Sequence, residues 1–224
     1  MLALKLGLSL NTIRPMGGWT PADETTLEAW YQKAVGITLN GSDVSAWDDS
    51  TTNGHDMEQG TGTEQPSYSN GVLTFDSSDQ TNLQTTTQIS LTDEFTIGFV
   101  ANPTSYNNVI LGDNTTSNEF FKYSASDKFI IKIDGSSKTF SLNSGSWGDD
   151  YVIVTRDGLG LISIWQNGVR QTDTETLAGT ADIDAIGVRA TDVNAFDGTV
   201  EEIQIYTSIS DDLTANLNSY LSGI

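Results

Sequence analysis

The 224-residue chain holds one histidine, His55, and it stands among acids. Asp48, Asp49, Asp56 and Glu58 all fall in the stretch "VSAWDDSTTNGHDMEQGTGTEQPSY", from Val44 to Tyr68. Zinc takes three or four ligands from His, Cys, Asp and Glu, and with one His and no Cys only carboxylates could complete the set. Calcium suits the stretch better, since oxygen ligands suffice. Yet "DDSTTNG" lacks the D-x-D-x-D-G spacing, and Asx residues beside Gly belong in turns because they bond their own backbone. No metal or other cofactor is therefore expected, with calcium the one ion the stretch could serve. Nucleophilic catalysis needs a base held against Ser or Thr. His55 is the only candidate, and its polar Asn-Gly-His-Asp setting reads as an exposed turn. The remaining reading makes Val44–Tyr68 the first corner of a β-sandwich.

Other residues could serve a sugar. Asp173-x-Glu175 and Asp182-x-Asp184 each place two acids on one face of an extended segment, as solvated faces also do. Aromatic platforms are the other requirement. Trp19 lies in a linker and Tyr106 in a loop, which makes them the freest aromatics and the candidate carbohydrate-binding residues. Trp30 and Trp47 read as core. Trp165 faces away from Ile162 and Ile164, so one of its strand's two faces is exposed or meets a partner.

These residues must be positioned by strands. The chain is 37% apolar and only 18% charged, with Ser, Thr, Asn, Asp and Gly filling the rest. That is the composition of many short strands joined by polar turns. The length suits one large all-β domain that needs no disulfide staples. Net charge is −20, which excludes nucleic acid and anionic membrane surfaces as natural partners. Residues 1–22 hold Lys5 and Arg14 and no acid, whereas the remaining chain sets eight Lys and Arg against 30 Asp and Glu.

The first ten residues, "MLALKLGLSL", put Leu2, Leu4, Leu6, Leu8 and Leu10 on one face of an extended strand. Lys5 interrupts the apolar run and no A-x-A site follows, so no signal peptide is expected. No stretch reaches the roughly 18 apolar residues of a membrane span. The leucines read either as a docking arm that adds to a partner's sheet or groove, or as the domain's own first strand. "NTIRPMGGWTP" then reads as a linker, which favours the arm. The expected division is an arm and linker over 1–22 and a domain over 23–224.

Within the domain, Thr20-Pro21-Ala22-Asp23 has helix-start chemistry, and "ETTLEAWYQKA" could continue it or form a strand at Leu27–Tyr31. From Val72 onward the two-residue period recurs, and "FTIGFVA" puts Phe95, Ile97 and Phe99 on one face. "KFIIKIDG" has a continuous apolar centre, as a buried strand would. Asp157-Gly158 and Asn167-Gly168 predict tight hairpin turns and a meander of about three strands from Tyr151 to Thr172. At the end, Ser210 caps a short helix whose Leu213, Leu217, Tyr220 and Leu221 share a face. About two turns fit there, so the helix must pack on the sandwich. The sum is an all-β, two-sheet antiparallel jelly-roll sandwich with an extended N-terminal arm and a short C-terminal helix.

Over residues 27–222 the chain resembles the concanavalin A-like, laminin-G-like jelly-roll superfamily. Four segments carry the likeness: "AWYQKAVGITLNGSDVSAWDDSTTNGHDMEQGTGTEQPSY", "GVLTFDSSDQTNLQ", "WGDDYVIVTRDGLGLISIWQNGVRQ" and "FDGTVEEIQIYTSISDDLTANLNSYL". The resemblance implies a strand at Leu27–Tyr31 and a packing role for Trp147. Hydrolases of this fold often carry Glu-x-Asp-x-x-Glu along one strand; this sequence has no such pattern, so no enzymatic activity is expected. Domains of this kind occur in bacteriophage virion proteins, displayed on a short N-terminal anchor. That implies a capsid-surface or tail component, made in the host cytoplasm and held by its arm to other virion proteins in a homo-oligomer. The alternative is a carbohydrate-binding module for adhesion to host-surface glycan, with calcium as an aid.

Overall fold

The computed structural model describes residues 18–190 and 193–224. The leucine arm, with Leu2, Leu4, Leu6, Leu8 and Leu10, lies outside the described residues. Alternation decides which way each strand faces. In the strand Phe95–Pro103, Phe95, Ile97, Phe99 and Ala101 enter the main core, while Val100 on the other side belongs to a second apolar cluster.

That strand is the centre of the first sheet. On one side it pairs with Asp150–Arg156, which pairs with Leu161–Gln166. On the other side it pairs with Gly198–Tyr206 along nearly the whole length of that strand. A bulge between Val200 and Glu202 divides the Gly198–Tyr206 strand. Before the bulge its free edge takes Val72–Phe75, and after it Leu27–Tyr31. Leu27–Tyr31 is thus a strand, and the helix-start signal before it produces only a single turn, Pro21–Asp23. The Thr20 backbone N–H donates to the Asp23 carboxylate at 2.9 Å.

The second sheet runs Leu83–Leu91, Ala181–Ile186, Asn108–Gly112, Phe120–Ala125, Lys128–Ile133 and Ser136–Ser141, all antiparallel. The hairpin Ile37–Asn40 and Asp43–Trp47 closes one side of the sandwich. Its second strand pairs with Met57–Glu58, next to the second sheet, and with Ser67–Ser69, next to the first. The inner faces of both sheets meet in one apolar core. Trp47 is fully buried there, and Trp147 stands edge-on to Tyr123 at 5.2 Å between centroids. The architecture is the two-sheet jelly-roll sandwich that the strand pattern requires.

Three local expectations change. The Asn167-Gly168 turn forms with positive φ at both residues, 49° and 78°. Asp157-Gly158 instead opens a longer loop: the Asp157 carboxylate accepts the N–H groups of Leu159 and Leu161, and Gly160 rather than Gly158 takes the positive φ. The strand Lys128–Ile133 is buried on one side only, because Ile130 and Lys132 face outward beside Lys122 and Phe120. The C-terminal helix, Asp211–Leu221, is 11 residues long, about three turns rather than two. Its Ser210 cap accepts the Leu213 N–H at 3.0 Å as expected. No helix among the described residues is long and apolar enough to cross a membrane.

Candidate functional site

The two sheets treat their outer faces differently. Over the first sheet, Leu213, Leu217 and Leu221 of the C-terminal helix pack on Val100, Ile153 and Tyr206. Gly98 lets the helix approach: a β-carbon there would sit 3.1 Å from Leu221 and 3.3 Å from Leu217. Beside the helix lies Glu202, fully buried on the same outer face. Its carboxylate accepts from Trp30 Nε1 at 2.6 Å, the Lys33 backbone N–H at 2.8 Å, Gln204 Nε2 at 2.9 Å and the Tyr220 hydroxyl at 3.1 Å. A buried charge with four donors is a structural device, and with the helix it seals this part of the face.

No helix among the described residues covers the outer face of the second sheet. Register places Gln84, Ala185, Gly112, Phe120, Lys132 and Ser137 in one row across its strands. Directly opposed residues in antiparallel strands share a face, so this row looks outward together. The segment after Ala181–Ile186 folds back onto the row at Gly112, where a β-carbon would lie 2.5 Å from the Val188 carbonyl oxygen. That close approach carries Arg189 over Phe120.

One half of the face is amide and carboxylate. The Asn114 N–H donates to Asp184 Oδ1 at 2.6 Å, and the Asn114 side-chain amide donates to Gln84 at 2.7 Å. Gln88 donates to Asp113 at 3.2 Å. Burial, with smaller contributions from Asp113 and Asp182, pushes the Asp184 carboxyl up to about 6.

The other half is cationic. Three cations surround the Phe120 ring: Arg189 at 4.9 Å from its centroid, Lys122 at 5.4 Å and Lys132 at 5.9 Å. Each lies within the range of cation–π attraction. Their hydrogen-bond acceptors are neutral: Asn107 Oδ1 for Lys122, the Ser117 carbonyl for Lys132 and Asn194 Oδ1 for Arg189. Desolvation, and then the nearby Arg189, holds the Lys122 ammonium below its ordinary pKa; burial does the same to Arg189.

The sequence candidates fall elsewhere or at the rim. His55 is not an exposed turn residue: it is 4% exposed, with Nδ1 2.8 Å from the Thr87 carbonyl and Nε2 2.9 Å from Glu28. Asp49 is buried and accepts the N–H groups of Trp30 and Thr51, which makes it a corner-former. Among the described residues, no three His, Cys, Asp or Glu groups converge to hold a metal. Asp173 accepts the Ser141 N–H and Glu175 pairs with Lys138, so both tie the edge strand Ser136–Ser141 across to the other sheet. Trp30 is buried on the outer face, not in the main core. Trp165 lies beside the helix cluster with Arg170 over its ring. Trp19 is not free: it packs on Tyr220 with 6.1 Å between centroids and donates to Glu24. Tyr106 is 37% exposed, and the next residue, Asn107, holds Lys122.

The cation cluster escaped the sequence reading. Its signal was present in "EFFKYSA" and "KFIIKIDG", whose alternation sets Phe120, Lys122 and Lys132 outward once the two are paired as a hairpin. Arg189, more than 50 residues further on, gives no local sign of joining them.

No known protein-family model matches the chain, and no curated protein sequence does. Solved structures do. Domain 4 of AbnA, a GH43 extracellular arabinanase from Geobacillus stearothermophilus solved with arabinotriose, aligns with a TM-score of 0.56 at 16% identity, over 86% of this chain and 98% of that one. A botulinum neurotoxin type C structure aligns at 0.53 and 15% identity, over 88% of this chain and 51% of that one. The heptameric SAP-like pentraxin from Limulus polyphemus aligns at 0.50 and 13%, over 61% and 73%. At such identities the likeness is one of architecture, and with the sheet order it shows a two-sheet antiparallel jelly-roll sandwich.

Proposed function

We propose that this protein is a non-enzymatic carbohydrate-binding domain that takes glycan on the open outer face of its second sheet. The observation that supports the reading is the asymmetry between the two outer faces. One is roofed by a helix and seals the Glu202 carboxylate beside it. The other presents amides, carboxylates and cations on and beside one outward row, with exposed Tyr106 next to the Lys122 acceptor. Groups of this kind, fixed on strands, suit sugar hydroxyls, which need oriented donors and acceptors. The fold agrees: domain 4 of the arabinanase was solved with arabinotriose, and the type C neurotoxin is described as depending on two ganglioside molecules to enter cells. The virion reading draws on the arm over 1–22, whose leucines lie outside the described residues. None of the similar structures named above is described as a virion component.

A broad glycan array probed with the full chain, with and without calcium, tests this. Binding should appear and should weaken roughly tenfold in Gln84→Ala or Tyr106→Ala, the loss of one good polar or stacking contact. Leu159→Ser, at a loop tip 89% exposed and on the first sheet's side, should leave it unchanged. Silence on the array in both conditions sinks the reading.

A further inference from the structure

We propose that the Phe120 cluster is an anion subsite, and that the glycans bound there carry a carboxylate or sulfate. This rests on the carbohydrate-binding reading above and narrows its ligand class to acidic sugars.

The argument starts from scarcity. The chain has net charge −20 and only eight Lys and Arg after residue 22. The others have evident work: Arg156 donates to the Leu91, Asp93 and Gly179 carbonyls, and Lys33, Lys128 and Lys138 pair with carboxylates. Arg170 covers Trp165. Three cations remain, and all three stand on one ring. In a strongly acidic protein, chance placement would put carboxylates beside them. Among the described residues none forms an ion pair with any of the three. The neighbouring acid, Glu119, accepts from the Thr116 hydroxyl at 2.8 Å instead, and burial raises its pKa where a cation would have lowered it.

Phe120 itself is 7% exposed. A ring so covered does not serve as a platform for a sugar face; it anchors the cations that cover it. Their unused donors then define the chemistry. Each lysine has three N–H groups and the arginine five, and the hydrogen bonds described take one from each. Arg189 Nε is buried with no partner among the described residues. Like charges held together and partly desolvated are favoured by an arriving anion, which supplies the missing counter-charge and accepts several N–H groups at once. Beside the cations lies the amide and carboxylate half of the face, where Gln88 donates to Asp113 and Asn114 to Gln84.

Titration calorimetry on the full chain decides it, with tetragalacturonate as the carboxylated probe, a heparin-derived octasaccharide as the sulfated one, arabinotriose as the neutral one and oligothymidylate as the polyanion without sugar acid. The expected result is binding of one or both acidic sugars, weakening as salt rises from about 50 to about 200 mM because screening shortens the reach of the cations. The double variant Lys122→Gln/Lys132→Gln should lose at least roughly tenfold in affinity for them, with an unchanged circular dichroism spectrum and with any neutral-sugar binding kept. Acidic-sugar affinity equal in the variant and the native chain overturns the subsite, as does binding of neutral sugars alone; either leaves the carbohydrate reading standing. Preference for oligothymidylate over both acidic sugars overturns it too. No binding of any sugar, here or on the array, removes both.

Discussion

The two outer faces of this sandwich handle charge in opposite ways. On the first sheet, Glu202 is fully buried and accepts four hydrogen bonds from Trp30, Lys33, Gln204 and Tyr220. On the second, Lys122, Lys132 and Arg189 share one ring and have no carboxylate among the described residues. A satisfied buried charge specifies where a helix docks; a group of like charges held at the surface costs stability and invites a counter-ion. The contrast separates what holds the molecule together from what faces outward to a ligand, and mutation can test each side.

The largest effect belongs to Glu202. Glu202→Ala leaves the Trp30 indole N–H, the Lys33 N–H and the Tyr220 hydroxyl without their acceptor in a dry setting. The expected cost is about 3–5 kcal/mol, read as a fall in the urea midpoint with the slope unchanged. A cost below about 1 kcal/mol would mean that water reaches this face and that it is not closed. Next comes Leu217→Ala, which opens a cavity between the helix and Gly98 and should cost about 2–4 kcal/mol. Amide exchange in Asp211–Leu221 should accelerate more than in Phe95–Pro103 if the helix is a roof laid on an independent sheet.

How far the sequence foretold this contrast depends on the distance between partners. Phe95, Ile97 and Phe99 declared their face by alternation alone, and Ser210 with Leu213 and Leu217 declared a helix that needed a surface. The Asn167-Gly168 turn was legible because both residues tolerate the φ values it takes. His55 was misread as exposed because its partners, Thr87 and Glu28, lie 32 and 27 residues away, while its immediate neighbours look like any polar turn. Trp19 was misread for the same reason, since Tyr220 comes from the other end of the chain. Much of the candidate face was legible only as outward alternation. Which outward residues stand together depends on register and on the fold-back at Gly112, and neither leaves a local pattern.

A smaller effect should appear on the acidic half of the open face. The Asp184 carboxyl is pushed up to about 6 from an ordinary 3.8, chiefly by burial. A raised folded-state value means that the fold favours the neutral form, so the penalty is absent below the unfolded value and grows as pH rises through about 6. Asp184→Asn removes the penalty and can keep the Asn114 N–H bond at its carbonyl oxygen. It should therefore stabilise at pH 7.5, by roughly 1 kcal/mol once solvent screening is allowed for, and the gain should vanish as pH approaches 4. Thermal melts of both proteins across that range measure it; a gain that stays constant with pH would show that ionisation of Asp184 is not the cause.

The smallest effect is the most discriminating. If the cations over Phe120 are held for a ligand, removing one should scarcely change folding. Lys132 donates to a single carbonyl, that of Ser117, and stands near two like charges in the absence of ligand. Losing the cation–π contact costs about 0.5–1 kcal/mol, and relief of repulsion from Lys122 and Arg189 offsets part of it. Lys132→Gln should accordingly shift stability by no more than about 0.5 kcal/mol, and that shift should shrink further at high salt, where repulsion is screened. The same urea titration used for Glu202 measures it. A cost of about 2 kcal/mol or more would place the cation among the groups that hold the sheet, as Glu202 holds the helix, and the distinction between the two faces would fail at its most exposed point.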